Sequence, residues 1–328
     1  MRRLLFLAAL LSACGDDDSG GTWQIVHDDL EGALLSVWGS SATDIWAVGG
    51  DPTEASTPMV IHFDGTTWER LDPGTQGDLW WVFGFAGGPV YMGGAGGRIL
   101  RYQDGVFTLM TTPDTGLTVF GIWGASPSDV WAVGGMEGGQ SGAFAWRLQG
   151  DAWVAAPEFP AELAVTDAVW KLYGTSANDV WFVGTHGMAL HWDGAAFTSF
   201  ETGVGESLFT VHSNGERFAA VGGYGSGYIV EWDGTSWQNV TPSGALSLAG
   251  VCLTGDGGVA TGANGTIYVR QGGTWREETT AFYLDQTLHS VWIDPEGGIW
   301  AAGGFILGGP LIDGVLIHKG DPVPTGGL

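Results

Sequence analysis

The clearest copy of a recurring unit reads Leu34-Leu35-Ser36-Val37-Trp38-Gly39, then Asp44-Ile45-Trp46-Ala47-Val48-Gly49-Gly50, then Ile61-His62-Phe63-Asp64-Gly65 and Thr66-Thr67-Trp68. Two further copies keep this pattern closely, at residues 122–134 and 172–184. Each copy contains four short apolar runs bounded by Gly, Asp, Asn and Ser, which is typical of strands joined by turns. No segment has a sustained 3.6-residue apolar period with caps, so we expect almost no helix.

Seven copies align on the glycine that closes the second run, at Gly49, Gly93, Gly134, Gly184, Gly222, Gly262 and Gly303. Their spacing averages about 42 residues, which is the length of one four-stranded blade of a β-propeller. The repeat therefore predicts an all-β fold, a seven-bladed β-propeller with four-stranded blades.

The first run of each copy indicates how the blades pack. We call the residues that occupy one aligned position in the seven copies a column. The columns of Leu34 and Val37 are apolar in all seven copies, so we expect these residues at contacts between blades. The column of Ser36 is mostly small or polar, which suits an innermost strand around a narrow axis.

The two ends of the repeat array are complementary. The seventh copy reaches Lys319 without a fourth run, and residues 22–25 match the fourth run of the first copy. We predict that this N-terminal strand completes the last blade against residues 316–318 and closes the ring, which removes an exposed sheet edge.

The repeats resemble those of known propeller families. The di-glycine of Val48-Gly49-Gly50, Val133-Gly134-Gly135 and Val221-Gly222-Gly223, with its downstream Trp, resembles kelch repeats. Asp294-Pro295-Glu296-Gly297-Gly298-Ile299-Trp300 is similar to two-component-regulator repeats, and the turn from His62 to Trp68 loosely resembles the Asp-box of sialidase-like propellers. The resemblance covers about residues 22–320 and implies a fold, because propellers host many unrelated activities.

Residues 1–13 have the pattern of a signal peptide, with Arg2 and Arg3 before a short apolar run. Leu11-Ser12-Ala13-Cys14 resembles a bacterial lipobox, which implies acylation of Cys14 at the start of a polar tether, residues 14–21. A chance cysteine beside an ordinary cleavage site is the alternative. Several acyl chains anchor a protein stably to a membrane. Because Gly15 rather than an aspartate follows the cysteine, the resemblance implies an outer membrane lipoprotein of the cell envelope. The propeller would span residues 22–320, followed by a C-terminal tail, residues 321–328.

The chain is strongly acidic, with 36 acidic and 11 basic residues and a formal net charge of −25. Repulsion from phosphates argues against nucleic acid and against an anionic membrane surface as partners. Contact with a membrane is therefore expected through the lipid anchor only, and we expect a monomer. Cys252 falls in a column of mostly aromatic residues and is expected to be a buried core residue.

Recurring polar residues are assigned to structure. In turns of the type Ser-x-x-Asp, as at Asp44, the Ser and Asp side chains are expected to form hydrogen bonds with the backbone of the turn. His62, His191 and His318 share one column of different blades, too far apart to hold one metal, and we expect this column to face solvent. Cys and His lack zinc spacing. The sequence predicts no cofactor and no metal, with a weak calcium site left open at Asp256, Asp294 and Glu296.

The long, irregular connections join the second strand to the third and the fourth strand to the next blade. Propeller topology places both classes on one face, which we call the long-loop face, and variable loops on a rigid scaffold are where recognition concentrates. Lys171 lies in the small, polar inner column and is expected to pair with a carboxylate such as Asp167. The predicted binding residues on this face are Trp80, Trp81, Asp167, Lys171, Tyr224, Phe282, Tyr283, His289 and Phe305.

The sequence favours a non-enzymatic, lipid-anchored envelope protein whose propeller binds or scaffolds a protein or glycan partner. A glycan-active enzyme, glycosidase or lyase, is the main alternative, and an assembly role within an envelope complex is a third. Carboxylates clustered at the axis would favour a glycosidase, whereas an apolar patch on the long-loop face would favour a protein partner.

Overall fold

The computed structural model describes residues 21–53, 56–306 and 309–328. They form seven antiparallel four-stranded sheets arranged in a ring, with the innermost strands of successive sheets in contact all the way round. Each sheet is one blade, so the predicted seven-bladed β-propeller is confirmed. The predicted signal peptide and Cys14 lie outside the described residues, as does most of the tether.

The strand β1 (Trp23–Gly32) belongs to the last blade, and the first three blades follow it in the chain. Their strands are β2 (Leu34–Ser41), β3 (Asp44–Gly49), β4 (Val60–Phe63) and β5 (Trp68–Arg70); β6 (Leu79–Gly84), β7 (Val90–Gly94), β8 (Ile99–Gln103) and β9 (Val106–Leu109); and β10 (Thr118–Ser126), β11 (Asp129–Gly135), β12 (Phe144–Gln149) and β13 (Ala152–Ala155).

Blades four to seven continue in the same order. Their strands are β14 (Val169–Ser176), β15 (Asp179–Gly184), β16 (Ala189–Trp192) and β17 (Phe197–Ser199); β18 (Leu208–Ser213), β19 (Phe218–Gly222), β20 (Tyr228–Trp232) and β21 (Trp237–Asn239); β22 (Leu248–Thr254), β23 (Gly257–Gly262), β24 (Ile267–Gln271) and β25 (Thr274–Glu278); and β26 (Thr287–Ile293), β27 (Ile299–Phe305) and β28 (Ile312–Lys319), completed by β1.

Helical structure in the described ranges is limited to the single turn α1 (Leu163–Thr166) and two 3-10 turns at Thr185–Gly187 and Ala263–Gly265. Almost no helix was expected from the absence of a 3.6-residue period, and the described residues agree. None of these helices has the length and apolar character needed to cross a bilayer.

The ring closes where β1 pairs with β28. Trp23 lies opposite Lys319 and Ile25 opposite Ile317, which confirms the predicted pairing, and the ladder continues to Gly32 opposite Ile312. Glu278 of blade six holds both strands, because it accepts a hydrogen bond from the Trp23 indole at 2.5 Å and pairs with the Lys319 ammonium at 3.0 Å. Blade seven is therefore completed by β1 and linked to blade six through Glu278.

The two apolar columns of the innermost strands form the contacts between blades. All seven residues of the Leu34 column are fully buried, and the Val37 column is buried throughout. Burial of a Leu or Val side chain stabilises the fold by about 1.5–3 kcal/mol, so each blade interface gains a similar increment from this strand.

The closing glycine is required by a close approach of backbone. At Gly49 and its equivalents, an added Cβ would collide with the carbonyl oxygen of the residue before the Leu34 column, for example Ala33. That oxygen accepts the next backbone N–H, as from Gly50 at 2.9 Å. In blade two the glycine in this position is Gly94, which pairs with Leu79, so the sequence alignment on Gly93 was wrong by one residue.

The small, polar inner column links neighbouring blades around the axis. The Ser290 hydroxyl accepts the Val37 N–H at 3.2 Å, and the Ser36 hydroxyl accepts the Val82 N–H at 3.1 Å. Thr210 donates to a carbonyl of the next blade at 2.6 Å. These buried bonds satisfy backbone groups that the crowded axis shields from water.

The histidine column does not face solvent, contrary to the expectation. His62 stacks on Trp46 with ring centroids 3.9 Å apart, and His318, only 3 % exposed, stacks on Trp300 at 4.1 Å. The Asp44 carboxylate receives the Trp46 indole N–H at 3.0 Å and the His62 ring at 2.8 Å. In blade one the aspartate that begins the second strand therefore fixes an aromatic pair.

Asp294, one of the residues considered for a calcium site, has its carboxylate occupied by hydrogen bonds. Its carboxylate accepts the backbone N–H groups of Glu296 at 3.0 Å and Gly298 at 2.8 Å and the Trp300 indole at 3.1 Å. No group of three or more metal-ligating side chains occurs in the described ranges. Asp294 thus serves as a turn and indole acceptor.

The described C-terminal tail crosses the junction of blades seven and one. Val323 packs against the core that these blades share. The Trp68 indole donates to the Pro324 carbonyl at 3.2 Å.

Asp44→Ala should lower the free energy of unfolding by about 1–3 kcal/mol, because it leaves the Trp46 and His62 N–H groups without an acceptor. Chemical denaturation at pH 7 measures the loss. Asp129→Ala is the matched control: Asp129 occupies the same turn position in blade three but accepts no such bond among the described residues, so about 0.5 kcal/mol or less is expected. Equal losses in both variants would contradict this role of Asp44.

Candidate functional site at the propeller axis

Every innermost strand contains the same irregularity. The pairing register shifts immediately after the first fully buried residue, for example between Leu79 and Trp81, so that Trp80 has no partner opposite it. An extra residue of this kind is a β-bulge, which redirects a side chain locally. The seven bulge residues are Leu35, Trp80, Phe120, Trp170, Phe209, Ala249 and His289.

Six of these seven residues line one cavity at the axis, with a volume of about 310 Å³. The cavity is surrounded on the long-loop face by Tyr224, Gly138 and Ile306 from connections between second and third strands, by Ser247 from a connection between blades, and by Thr287 at the start of β26. The bulges therefore turn one residue from most blades into a shared pocket beneath the long loops.

The aromatic lining is continuous over much of the pocket. Ring centroids are 6.0 Å apart for Trp80 and His289, 5.5 Å for Trp80 and Phe120, and 4.7 Å for Phe120 and Trp170. The series continues to Phe209 at 5.7 Å and from there to Tyr224 at 5.1 Å. Edge-to-face and tilted packing of this kind fixes aromatic walls in place.

Lys171 also lines the cavity and is 4 % exposed. Its ammonium lies 4.5 Å from the centroid of the Trp81 ring, a cation–π contact. Within the described residues Lys171 forms no ion pair with a carboxylate. Burial lowers the pKa of Lys171 from 10.5 to about 7, since the charged form loses its hydration.

The predicted pairing of Lys171 with Asp167 is wrong. The Asp167 carboxylate accepts the Thr185 hydroxyl at 2.8 Å and the Thr166 hydroxyl at 2.7 Å, and pairs with His186 at 3.1 Å. Burial opposes ionisation of Asp167, but these hydrogen bonds together lower its pKa. The carboxylate is thus committed to the turn between β15 and β16.

His289 is held as the neutral imidazole. Its Nδ1 donates to the Leu35 carbonyl oxygen at 2.5 Å, which leaves Nε2 as an acceptor. Burial, with a further contribution from the Lys171 charge, lowers the pKa of His289 to about 4. Lys171 is therefore the group of the cavity that carries positive charge near neutral pH, where its ammonium and amine forms are both populated.

Trp81 separates this cavity from a smaller one, about 90 Å³, towards the short-turn face. The smaller cavity contains Cys252, whose Sγ lies 3.7 Å from Nε2 of His212. His212 Nδ1 accepts the Leu253 N–H at 3.0 Å, so Nε2 carries the proton and cannot remove one from the thiol. Burial raises the pKa of Cys252 to about 12, and the pair is unreactive.

Apart from Asp167, whose carboxylate bonds to Thr185 and His186, the predicted binding residues fall into three groups. Trp80, Lys171, His289 and Tyr224 line the axial cavity, and Trp81 lies beneath it. Tyr283 and Phe305 are exposed on the long-loop face, by 84 % and 42 %. Phe282 instead packs partly against the core shared by blades six and seven, so it contributes to stability as well as to the surface.

Sequence reasoning missed Phe120, Trp170 and Phe209 as cavity residues. Each follows directly after the fully buried residue of the Leu34 column in its strand, as Trp80 does. That position was the available signal, because it is large and aromatic in four of the seven blades.

No known protein family matches the sequence, and no curated protein is similar to it in sequence. Solved structures do resemble the fold. The chain superposes on U3-55K with a TM-score of 0.71 and 13 % identity, over 91 % of this chain and 98 % of that one. YCF48 from Cyanidioschyzon merolae superposes with a TM-score of 0.68 and 14 % identity, over 90 % of this chain and 98 % of that one.

Virginiamycin B lyase from Staphylococcus aureus gives a TM-score of 0.68 and 14 % identity over 90 % and 99 % of the two chains. YCF48 has also been solved with a bound D1 peptide. That structure superposes with a TM-score of 0.68 and 14 % identity, over 90 % of this chain and 96 % of that one. At these identities the similarity establishes the propeller fold alone.

Lys171→Met should change how stability depends on pH. Between pH 7 and 9 the folded protein releases the Lys171 proton while the unfolded chain keeps it, so wild-type stability rises with pH. Its folding equilibrium constant should increase by up to about tenfold per pH unit relative to Lys171→Met. Denaturant unfolding at pH 7, 8 and 9 measures this difference.

The comparison with Lys171→Met isolates Lys171, because every other titrating group, including the Cys252 thiol of the unfolded chain, contributes equally to both proteins and cancels in the difference. Lys319→Met, in the other lysine of the chain, controls for the loss of one positive charge. Parallel pH curves for the wild type and Lys171→Met would show that Lys171 is not buried as described.

Proposed function

We propose that this chain is a non-enzymatic binding module whose long-loop face captures a protein partner. The observation that carries the proposal is an aromatic cavity at the axis, surrounded by exposed apolar side chains on one face. Patches of this kind mark interaction sites on soluble surfaces. The exposed large apolar residues on this face are Met136, Val165, Tyr224, Leu246, Tyr283, Phe305 and Ile312.

Acidic residues surround the apolar patch. Exposed carboxylates on the long-loop connections include Glu137, Glu158, Glu162, Glu206 and Asp285. A partner with an apolar centre and a basic rim would match this surface, since complementary charge directs association and register. The overall charge of −25 favours the same class of partner.

A second depression adjoins the axial cavity at Tyr224, which is common to both spaces. This depression has a volume of about 260 Å³, lies between the connections of blades four and five and is lined by His186, Glu206 and Gln140. The D1 peptide bound to YCF48 is a precedent for peptide binding by a propeller of this shape.

The glycan-active alternative has less support from the site. A glycosidase needs two carboxyl groups about 5–10 Å apart across the substrate. The described lining of the axial cavity contains aromatic residues, Lys171 and His289 and has no carboxylate. The geometry supports binding better than hydrolysis.

Site-directed photo-cross-linking in the native envelope tests the partner face. A benzophenone side chain at Tyr283 or Tyr224 should give a discrete adduct with one protein. The same probe at Val106 or Leu109, which are exposed by 59 % and 64 % on the outer strand of blade two, should give none. The same adducts from both sets would place the partner away from the long-loop face.

We also propose that Cys14 is acylated and anchors the protein to the outer membrane. The lipobox-like Leu11-Ser12-Ala13-Cys14 and the following polar tether support this. Cys14→Ser should move the protein from the membrane fraction to the soluble fraction and abolish incorporation of labelled fatty acid, with an unchanged melting temperature. Membrane association of the variant, with no acyl label in the wild type, would contradict it.

A further inference from the structure

Lys171 presents an unpaired cation to an otherwise uncharged cavity. Its side chain is almost completely buried and lines the cavity, and its nearest described electrostatic partner is the face of the Trp81 ring. A buried charge without a counter-ion is destabilising, and a ligand that supplies a negative charge would offset this cost.

The walls define the rest of such a ligand. Trp80, Phe120, Trp170 and Phe209 present apolar rings, and the cavity volume of about 310 Å³ is at the lower end of the range for small-molecule sites. With one cation, the cavity balances one negative charge. A phosphate or a dicarboxylate would enter with charge left uncompensated.

We propose that the axial cavity binds a monocarboxylate with a planar apolar body, its carboxylate on Lys171 and its ring against the aromatic wall. Two sources share this chemistry: a free aromatic acid, and the C-terminal aromatic residue of a peptide. This ligand site rests on the axial cavity that also supports the proposed function, but the cross-linking position Tyr283 lies outside the cavity, so the failure of one proposal can be distinguished from the failure of the other.

Binding is coupled to protonation of Lys171. The free amine has a pKa of about 7, and an adjacent carboxylate raises it, so binding at pH 8 takes up a proton. The groups around Lys171 do not titrate in this range: His289, with a pKa of about 4, stays neutral, and Asp167, whose pKa is lowered, stays ionised. Affinity should fall by up to about tenfold per pH unit above pH 7.

Calorimetric titration of the purified full-length chain with 3-phenylpropionate and with its neutral amide tests the proposal. The acid should bind at one site, with proton uptake detected from the dependence of the heat on buffer ionisation. Its affinity should be at least tenfold higher than that of the amide at pH 7. Absence of binding, or equal affinity for acid and amide, would overturn the proposal.

Variants separate charge recognition from folding. Lys171→Met removes the charge in a buried, apolar setting that tolerates Met, so it should fold and lose both the preference for the acid and the proton uptake. Lys319→Met, whose ammonium pairs with Glu278 outside the cavity, should bind as the wild type does. A folded Lys171→Met that keeps the preference would overturn the proposal.

Competition with the tripeptide Ala-Ala-Phe, as free acid and as amide, distinguishes the two sources. Displacement of 3-phenylpropionate by the free-acid peptide at similar concentration supports the site and identifies a chain terminus as its ligand. Failure to displace supports the site and identifies a free aromatic acid. Displacement by the peptide amide alone would contradict recognition of the carboxylate.

Discussion

The bulge in each innermost strand is the constraint on which the rest of this molecule depends. Seven strands converge on a narrow axis, and the residue before each bulge is fully buried between blades. The residue after it, in the column of Ser36, is mostly small and bonds to the next blade. The bulge residue itself is thereby directed to the axis, where its side chain meets those of the other blades.

The chemistry of the axial cavity follows from this geometry. Because the position is large and aromatic in consecutive blades two to five, the cavity acquires a continuous wall on one side, from Trp80 to Phe209. Lys171 replaces a small residue in the adjacent column and is buried there without a carboxylate. A closed ring of blades maintains this arrangement, since β1 and Glu278 tie the last blade to its neighbours.

The sequence predicted the propeller because its signals are local. The closing glycine reflects one backbone contact repeated in each blade, and the buried columns follow strand periodicity. The cavity was harder to predict, because a bulge changes the direction of a side chain without any change in composition. Phe120 and Trp170 were therefore not singled out, whereas Trp80 and His289 were placed near the axis by topology alone.

Wrong predictions arose where residues well separated in the sequence supplied the partner of a side chain. The Asp167 carboxylate is taken by Thr185 and His186, which lie 18 and 19 residues later in the chain, so it is not available to Lys171. His62 was expected to face solvent, but Trp46 of the neighbouring strand covers its ring. Such contacts depend on cross-strand register, which a single sequence leaves open.

The central claim is that Lys171 is a buried, unpaired cation at the base of the axial cavity. The chain has two lysines, so a protein labelled with ¹³C at lysine Cε gives two resolved NMR signals. We predict that one signal titrates near pH 7 and is absent from Lys171→Met. If neither signal titrates below pH 9, Lys171 is hydrated or paired, and the account of the cavity is contradicted.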